Sequence, residues 1–92
     1  MDITIHYTAH LKHAGGAAAQ TLSVPDGATV KECFDTLCQS IPDELRSLLI
    51  DNQGGLRPAI LLCVDDEQIL LDDPAPVRPG AHITLLAAIS GG

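Results

Sequence analysis

Apolar and polar residues follow two periodicities along the chain. A period of two residues predicts its strands, and a period of about 3.6 residues predicts its helices. Residues 2–8 alternate strictly, which predicts a strand with one buried face. Residues 20–24 alternate in the same way and predict a second strand. Because only the connection at 9–19 separates them, the two strands are expected to form a hairpin.

After the predicted hairpin, apolar residues recur at helical spacing. Thr29 and Glu32 have the spacing of a capping box, in which each side chain accepts a hydrogen bond from the other residue's backbone N–H. Pro42 ends this helix, and residues 43–49 predict a short second one. The apolar residues of the first helix form one stripe that is expected to pack on the sheet: Val30, Cys33, Phe34, Leu37 and Ile41.

The second half of the chain predicts three more strands. The continuous apolar run at 59–64 is typical of a buried central strand, and the turn at 65–66 leads to a short strand at 67–71. Pro79-Gly80 suits a type II turn before the last strand at 82–88. This order predicts an α+β fold with a mixed four- to five-stranded sheet packed on one main helix.

Composition excludes several classes of function. The 92 residues carry 12 acidic and 5 basic side chains, a net charge of −7, which disfavours nucleic-acid binding. No apolar run approaches the roughly 18 residues of a membrane span, and no signal pattern opens the chain. Three cysteines without metal or disulfide spacing favour a reducing cytoplasm.

The end of the chain, Ser90-Gly91-Gly92, carries the candidate chemistry. A Gly-Gly end is thin enough to enter a channel, and its α-carboxylate is ionised at neutral pH. We therefore expect one domain, 1–92, with a flexible tail at 89–92 that presents the carboxylate of Gly92. A frayed terminus and a cloning remnant are the alternatives.

Other candidate sites have ordinary structural explanations. His10 and His13 have no nearby acidic or cysteine partner, so no metal site is expected. The acidic run at 65–67 is explained by a solvated turn, and the cysteines are expected to be buried apolar residues. Leu85 is either a core residue or part of an apolar patch that contacts a partner.

Five stretches give the chain a resemblance, over essentially its whole length, to the ubiquitin-like β-grasp sulfur carriers of the MoaD/ThiS family, which include the small subunit of molybdopterin synthase. The terminal Gly-Gly at the end of a strand is the specific part of this resemblance. The stretches are 5–11 with Gly15-Gly16, 28–30, 61–67, 77–83 and 89–92.

The resemblance implies a sulfur-carrying co-substrate or small subunit rather than a catalyst in its own right. An E1-like enzyme would use ATP-Mg to adenylate the carboxylate of Gly92, and a sulfur donor would convert it to a thiocarboxylate. The predicted partner-binding residues are Ile89, Ser90, Gly91 and Leu85. No bound cofactor is expected.

The acceptor implied first is the large subunit of molybdopterin synthase, in molybdenum cofactor synthesis. Sulfur delivery for cysteine, thiamine or tRNA thiolation remains open. So do two other functions: a covalent protein modifier that uses the same activation, and a β-grasp interaction module whose Gly-Gly is incidental.

Overall fold

The computed structural model describes residues 1–8, 11 and 18–87, which form five strands and two helices. In chain order, these elements are β1 (Asp2–Tyr7), β2 (Ala19–Ser23), α1 (Val30–Cys38), α2 (Asp43–Leu49), β3 (Ile60–Val64), β4 (Glu67–Gln68) and β5 (His82–Ala87).

The strands form one mixed sheet in the order β2-β1-β5-β3-β4. Strands β1 and β5 are parallel, and the other neighbouring pairs are antiparallel. The predicted α+β class and mixed sheet are confirmed. The central strand, however, is β5, because the first and last strands of the chain pair with each other.

The prediction of a buried central strand at 59–64 is therefore wrong in part. Ile60 and Leu62 of β3 are buried, but Leu61 and Cys63 are half-buried on the opposite face. Successive side chains of a strand point to opposite faces, so an apolar run is buried on both only where both are covered. The predicted strand at 67–71 is also shorter than expected, since only Glu67–Gln68 form β4.

The core lies between one face of the sheet and α1. It contains alternate residues of the strands, the α1 stripe and two leucines of α2. Every buried residue among those described is hydrophobic, and the buried Tyr7 donates its hydroxyl to Gln20 Oε1 at 2.9 Å. Neither helix is long and apolar enough to cross a membrane.

The start of α1 is fixed by the predicted capping box. The Thr29 hydroxyl accepts from the Glu32 backbone N–H at 3.3 Å, and the Glu32 carboxylate accepts from the Thr29 backbone N–H at 3.0 Å. Two backbone donors that would otherwise lack partners in the first turn are thereby satisfied. The helix ends at Cys38, earlier than Pro42, and Ile41 is buried from the following turn.

Replacing Thr29 with Ala is expected to lower the free energy of unfolding by about 1 kcal/mol, because the N-cap hydroxyl is lost. Urea denaturation followed by circular dichroism measures this change. Thr36→Ala is the matched control, because the Thr36 hydroxyl donates a hydrogen bond to the Glu32 carbonyl within α1 and caps no helix end. Equal losses in the two variants would contradict the capping role.

The turn before β5 and the turn between β3 and β4 both have the backbone conformation that their residues favour. Gly80 has φ 76°, which is the third position of the predicted type II turn. Asp65 and Asp66 join β3 to β4 with φ 49° and 73°, so both occupy the left-handed region. Such conformations favour a two-residue hairpin, and Asp tolerates them better than most residues do.

Candidate functional site

Strand β5 leads towards the predicted tail and is held on both sides. Residues 82–85 pair with 4–7 of β1, and residues 83–87 pair with 60–64 of β3. The last described residue, Ala87, lies opposite Ile60. Strand β1 therefore holds β5 as far as Leu85, and β3 holds it as far as Ala87, from which the chain continues.

The tail residues predicted to carry the chemistry, Ile89, Ser90, Gly91 and Gly92, lie outside the described residues. The structure places their point of departure at Ala87, five residues before Gly92. An extended chain spans at most about 3.3–3.6 Å per residue, so the terminal carboxylate lies within roughly 18 Å of Ala87.

The prediction that Leu85 contacts a partner is corrected by its burial. Its side chain is 0% exposed and belongs to the hydrophobic core. It lines the junction between the sheet and α1, together with Ile5, Phe34 and Leu62. Leu85 therefore stabilises the strand that leads to the tail, and it offers no surface to another protein.

The neighbouring residue, Leu86, takes the position that was expected for Leu85. It is half-buried on the sheet face opposite α1, where Leu61 of β3 is its register partner. We call this face, formed by Thr4, His6, His82, Thr84, Leu86, Leu61 and Cys63, the outer face. Sequence reasoning missed Leu86, although strand alternation places it on the face opposite to Ile83 and Leu85.

A groove extends from the outer face beside the point where the tail departs. It has a volume of about 610 Å³ and is lined by Ile60, Leu61, Leu70 and Leu71 among others. Leu70 is 71% exposed, which is unusual for a large apolar side chain. This end of the sheet therefore combines partly exposed leucines with the departure of the tail.

The opposite end of β5 is anchored by Asp65. One oxygen of its carboxylate accepts from the His82 backbone N–H at 3.0 Å, and the other accepts from Arg78 at 3.2 Å. The backbone N–H of Asp65 also donates to the His82 carbonyl at 2.8 Å. The acidic turn is thus more than a solvated loop, because it ties the β3–β4 hairpin to the start of β5.

The hydrogen bond from the His82 backbone, with a further contribution from Arg78, lowers the pKa of Asp65 below its ordinary value. The carboxylate therefore stabilises the fold at pH values above the unfolded pKa of about 3.9. That stabilisation is lost as the pH falls through the lower pKa of the folded state.

Asp65→Asn is expected to lower the free energy of unfolding at pH 7. The difference in this free energy between the variant and the parent is expected to become smaller as the pH falls from 5 to 2. Asn keeps an oxygen for the His82 N–H and tolerates the left-handed backbone, but it carries no charge. Urea denaturation at each pH measures the difference. A difference that stays constant over this range would contradict the assignment.

The cysteines only partly follow the prediction that all three are buried apolar residues. Cys33 is buried in the core, whereas Cys38 and Cys63 are half-buried. Burial raises the pKa of the Cys33 and Cys38 thiols, which keeps them protonated and weakly nucleophilic at neutral pH. Cys63 lies on the outer face, opposite Thr84 of β5.

Comparison with known proteins relates this architecture to solved structures. No protein-family model matches the chain, and no curated protein matches it. SAMP1 from Haloferax volcanii is 24% identical, with all of both chains covered and a TM-score of 0.89. A chain of the BexX/CysO complex from Amycolatopsis orientalis is 26% identical, with 98% of this chain and 99% of that chain covered and a TM-score of 0.72.

A third similar structure is a protein assigned as molybdopterin converting factor, subunit 1, from Pyrococcus furiosus. It is 11% identical, covers 97% of this chain and 99% of its own, and has a TM-score of 0.73. The chain has a ubiquitin-like β-grasp fold. The predicted resemblance to MoaD/ThiS-type proteins is thereby confirmed at the level of the fold. In β-grasp terms, β5 is the strand that carries the C-terminal segment.

Proposed function

We propose that this chain is a sulfur carrier that is charged at the carboxylate of Gly92. The observation that carries the proposal is the pairing of β5, which β1 holds as far as Leu85 and β3 holds as far as Ala87, opposite Ile60. Five residues follow Ala87, and the last two are the terminal glycines. A rigid base followed by a slender end suits delivery of a carboxylate into another enzyme's active site.

The proposed chemistry takes place on the partner enzymes. An E1-like enzyme, using ATP-Mg, joins the Gly92 carboxylate oxygen to the α-phosphorus of ATP, and pyrophosphate leaves. A hydrosulfide equivalent then attacks the acyl carbon, the bond from that carbon to the phosphate oxygen breaks, and AMP leaves. The resulting thiocarboxylate is the sulfur donor for an acceptor enzyme.

The outer face and its adjoining groove supply a docking surface for these enzymes. Leu61, Leu86 and Leu70 place apolar side chains near the departure of the tail. Burial of such residues at the centre of an interface provides binding energy, while the acidic surface of the chain favours a basic rim on the partner. Docking here would position the tail for adenylation.

The test is the mass of the protein after incubation with its E1-like enzyme, ATP-Mg and a sulfur donor. Replacement of one carboxylate oxygen by sulfur is expected to add about 16 Da. The unmodified gene product must also have the mass of a chain ending at Gly92. A native-ended protein that a cognate activating enzyme leaves unchanged would refute the proposal.

For the acceptor we favour the molybdopterin pathway, with the large subunit of molybdopterin synthase as partner. The similarity to the Pyrococcus furiosus protein supports this choice. The BexX/CysO chain keeps a carrier for another biosynthetic pathway open, so sulfur delivery for cysteine, thiamine or tRNA thiolation is the alternative. We place the protein in the cytoplasm, since its three cysteines form no disulfide.

A covalent protein modifier is the second candidate. The Haloferax volcanii protein, whose name is small archaeal modifier protein 1, matches over 96–100% of this chain in two structures. A modifier would share the adenylation step, but a lysine amine would attack the acyl group. Isopeptide-linked conjugates in an extract of the source cells would favour this function, whereas sulfur release without conjugates would favour the carrier.

A further inference from the structure

Two histidines that are far apart in the sequence meet on the outer side of the sheet. His6 lies on β1 and His82 on β5, and Nε2 of His6 is 2.8 Å from Nδ1 of His82. The ring centroids are 5.1 Å apart and the ring planes differ by 20°. Since the nitrogens are much closer than the centroids, the rings meet through their nitrogen-bearing edges.

The backbone of both histidines is held by the parallel ladder. His6 is the register partner of Thr84, and His82 is the register partner of Thr4. The two imidazoles therefore reach each other diagonally across neighbouring strands. His6 is half-buried and His82 is exposed, so solvent has access to the pair.

The distance between the two nitrogens suits a pair of metal ligands. Two nitrogens at about 2.0 Å from one ion, in adjacent positions of a square-planar or octahedral site, are about 2.8 Å apart. In a tetrahedral site the separation is about 3.3 Å. Imidazole is a preferred ligand of the late first-row transition metals, and square-planar nitrogen sites favour Ni²⁺ and Cu²⁺.

The surroundings favour a cation. The Asp65 carboxylate lies close to the pair, since one of its oxygens accepts from the His82 backbone N–H at 3.0 Å. The chain as a whole has a net charge of −7. Among the described residues no third His, Cys, Asp or Glu side chain joins the pair, so the site offers two protein ligands and leaves the remaining coordination positions to water.

We propose that His6 and His82 form a two-histidine binding site for a divalent late transition-metal ion of the Ni²⁺ and Cu²⁺ class. Binding replaces the hydrogen bond between the rings. The ring that donates in that bond moves its proton to its other nitrogen, so both facing nitrogens offer lone pairs and no net proton is released. The two facing nitrogens point at each other in the hydrogen-bonded pair. Each ring therefore turns by roughly 45° to direct its lone pair at an ion about 2.0 Å from both nitrogens.

Titration with nickel chloride in a non-chelating buffer tests the site, because thiols do not reduce Ni²⁺. The wild type is expected to bind one equivalent, and His6→Asn and His82→Asn are each expected to weaken binding about 10-fold or more. The matched control is the double variant His10→Asn/His13→Asn, which should bind like the wild type. Cys63→Ser, a change on the same outer face, should also bind normally.

Nuclear magnetic resonance of the wild type gives a second readout that no variant's folding can affect. Ni²⁺ held by two imidazoles and water is six-coordinate and paramagnetic, so at substoichiometric concentration it broadens the imidazole signals of His6 and His82. Absence of binding to the wild type would overturn the proposal. So would binding that survives both single variants, or broadening confined to His10 and His13.

Discussion

Deletion of Gly92 is expected to lower ATP-dependent charging of the chain at least 100-fold. The shortened chain still ends in a carboxylate, now on Gly91, but that carboxylate is withdrawn by one residue, or about 3.5 Å. Misplacement of a reacting group by 1 Å can already cost about 10²-fold in rate. The sheet cannot restore the reach, because β5 is held by its pairing with β1 and β3.

Pyrophosphate exchange and intact mass measure the charging step. Ser90→Ala is the matched control, since it changes a tail residue without changing the length, and it should be charged at close to the parental rate. Addition of one glycine after Gly92 should impair charging, because it misplaces the carboxylate in the other direction. Normal charging of the shortened chain would contradict the prediction, because it would show that the distance from β5 to the terminal carboxylate does not matter.

The same deletion should leave the fold unchanged. The buried core that the structure describes runs from Ile3 to Leu85, which lies seven positions before Gly92. We expect the free energy of unfolding to change by less than about 0.5 kcal/mol, the range of substitutions away from the core. A larger loss of unfolding free energy would mean that charging fails because the fold is destabilised, and not because the carboxylate is misplaced.

The local features of this fold were predictable because neighbouring residues determine them. Thr29 and Glu32 satisfy each other's backbone donors within one turn, so their spacing alone locates the start of α1. Gly80 follows a proline and takes the positive φ that a type II turn requires. Such signals need no knowledge of what packs against them.

Features that depend on distant residues could not be predicted in the same way. The apolar run at 59–64 suggested the central strand, yet β5 occupies the centre because it pairs with both β1 and β3. Segment 69–71 has the composition of a strand, but the ladder with β3 stops at Gln68. The contact between His6 and His82 depends on a pairing between residues 76 positions apart.

Leu85 and its neighbour Leu86 lie on opposite faces of β5, so we expect truncation of Leu85 to affect stability and truncation of Leu86 to affect binding. Leu85→Ala is expected to lower the free energy of unfolding by about 3 kcal/mol. The side chain is fully buried, so its truncation loses apolar contact with Ile5, Phe34 and Leu62 and leaves a cavity. Urea denaturation measures the loss, and the m-value shows whether unfolding remains a single transition.

Leu86→Ala is the matched control, because the same atoms are removed from the next residue of β5. Leu86 is half-buried on the outer face, so its truncation should cost less than about 1 kcal/mol of stability. If enzymes dock on this face, the variant should raise the apparent KM for the activating enzyme about 10-fold, since a central apolar anchor contributes more than about 1 kcal/mol to binding. A loss of stability only in Leu85→Ala and a loss of docking only in Leu86→Ala would support two roles. The inner face would hold β5 in the core, and the outer face would contact the enzymes. The reverse result would contradict this assignment of the two faces.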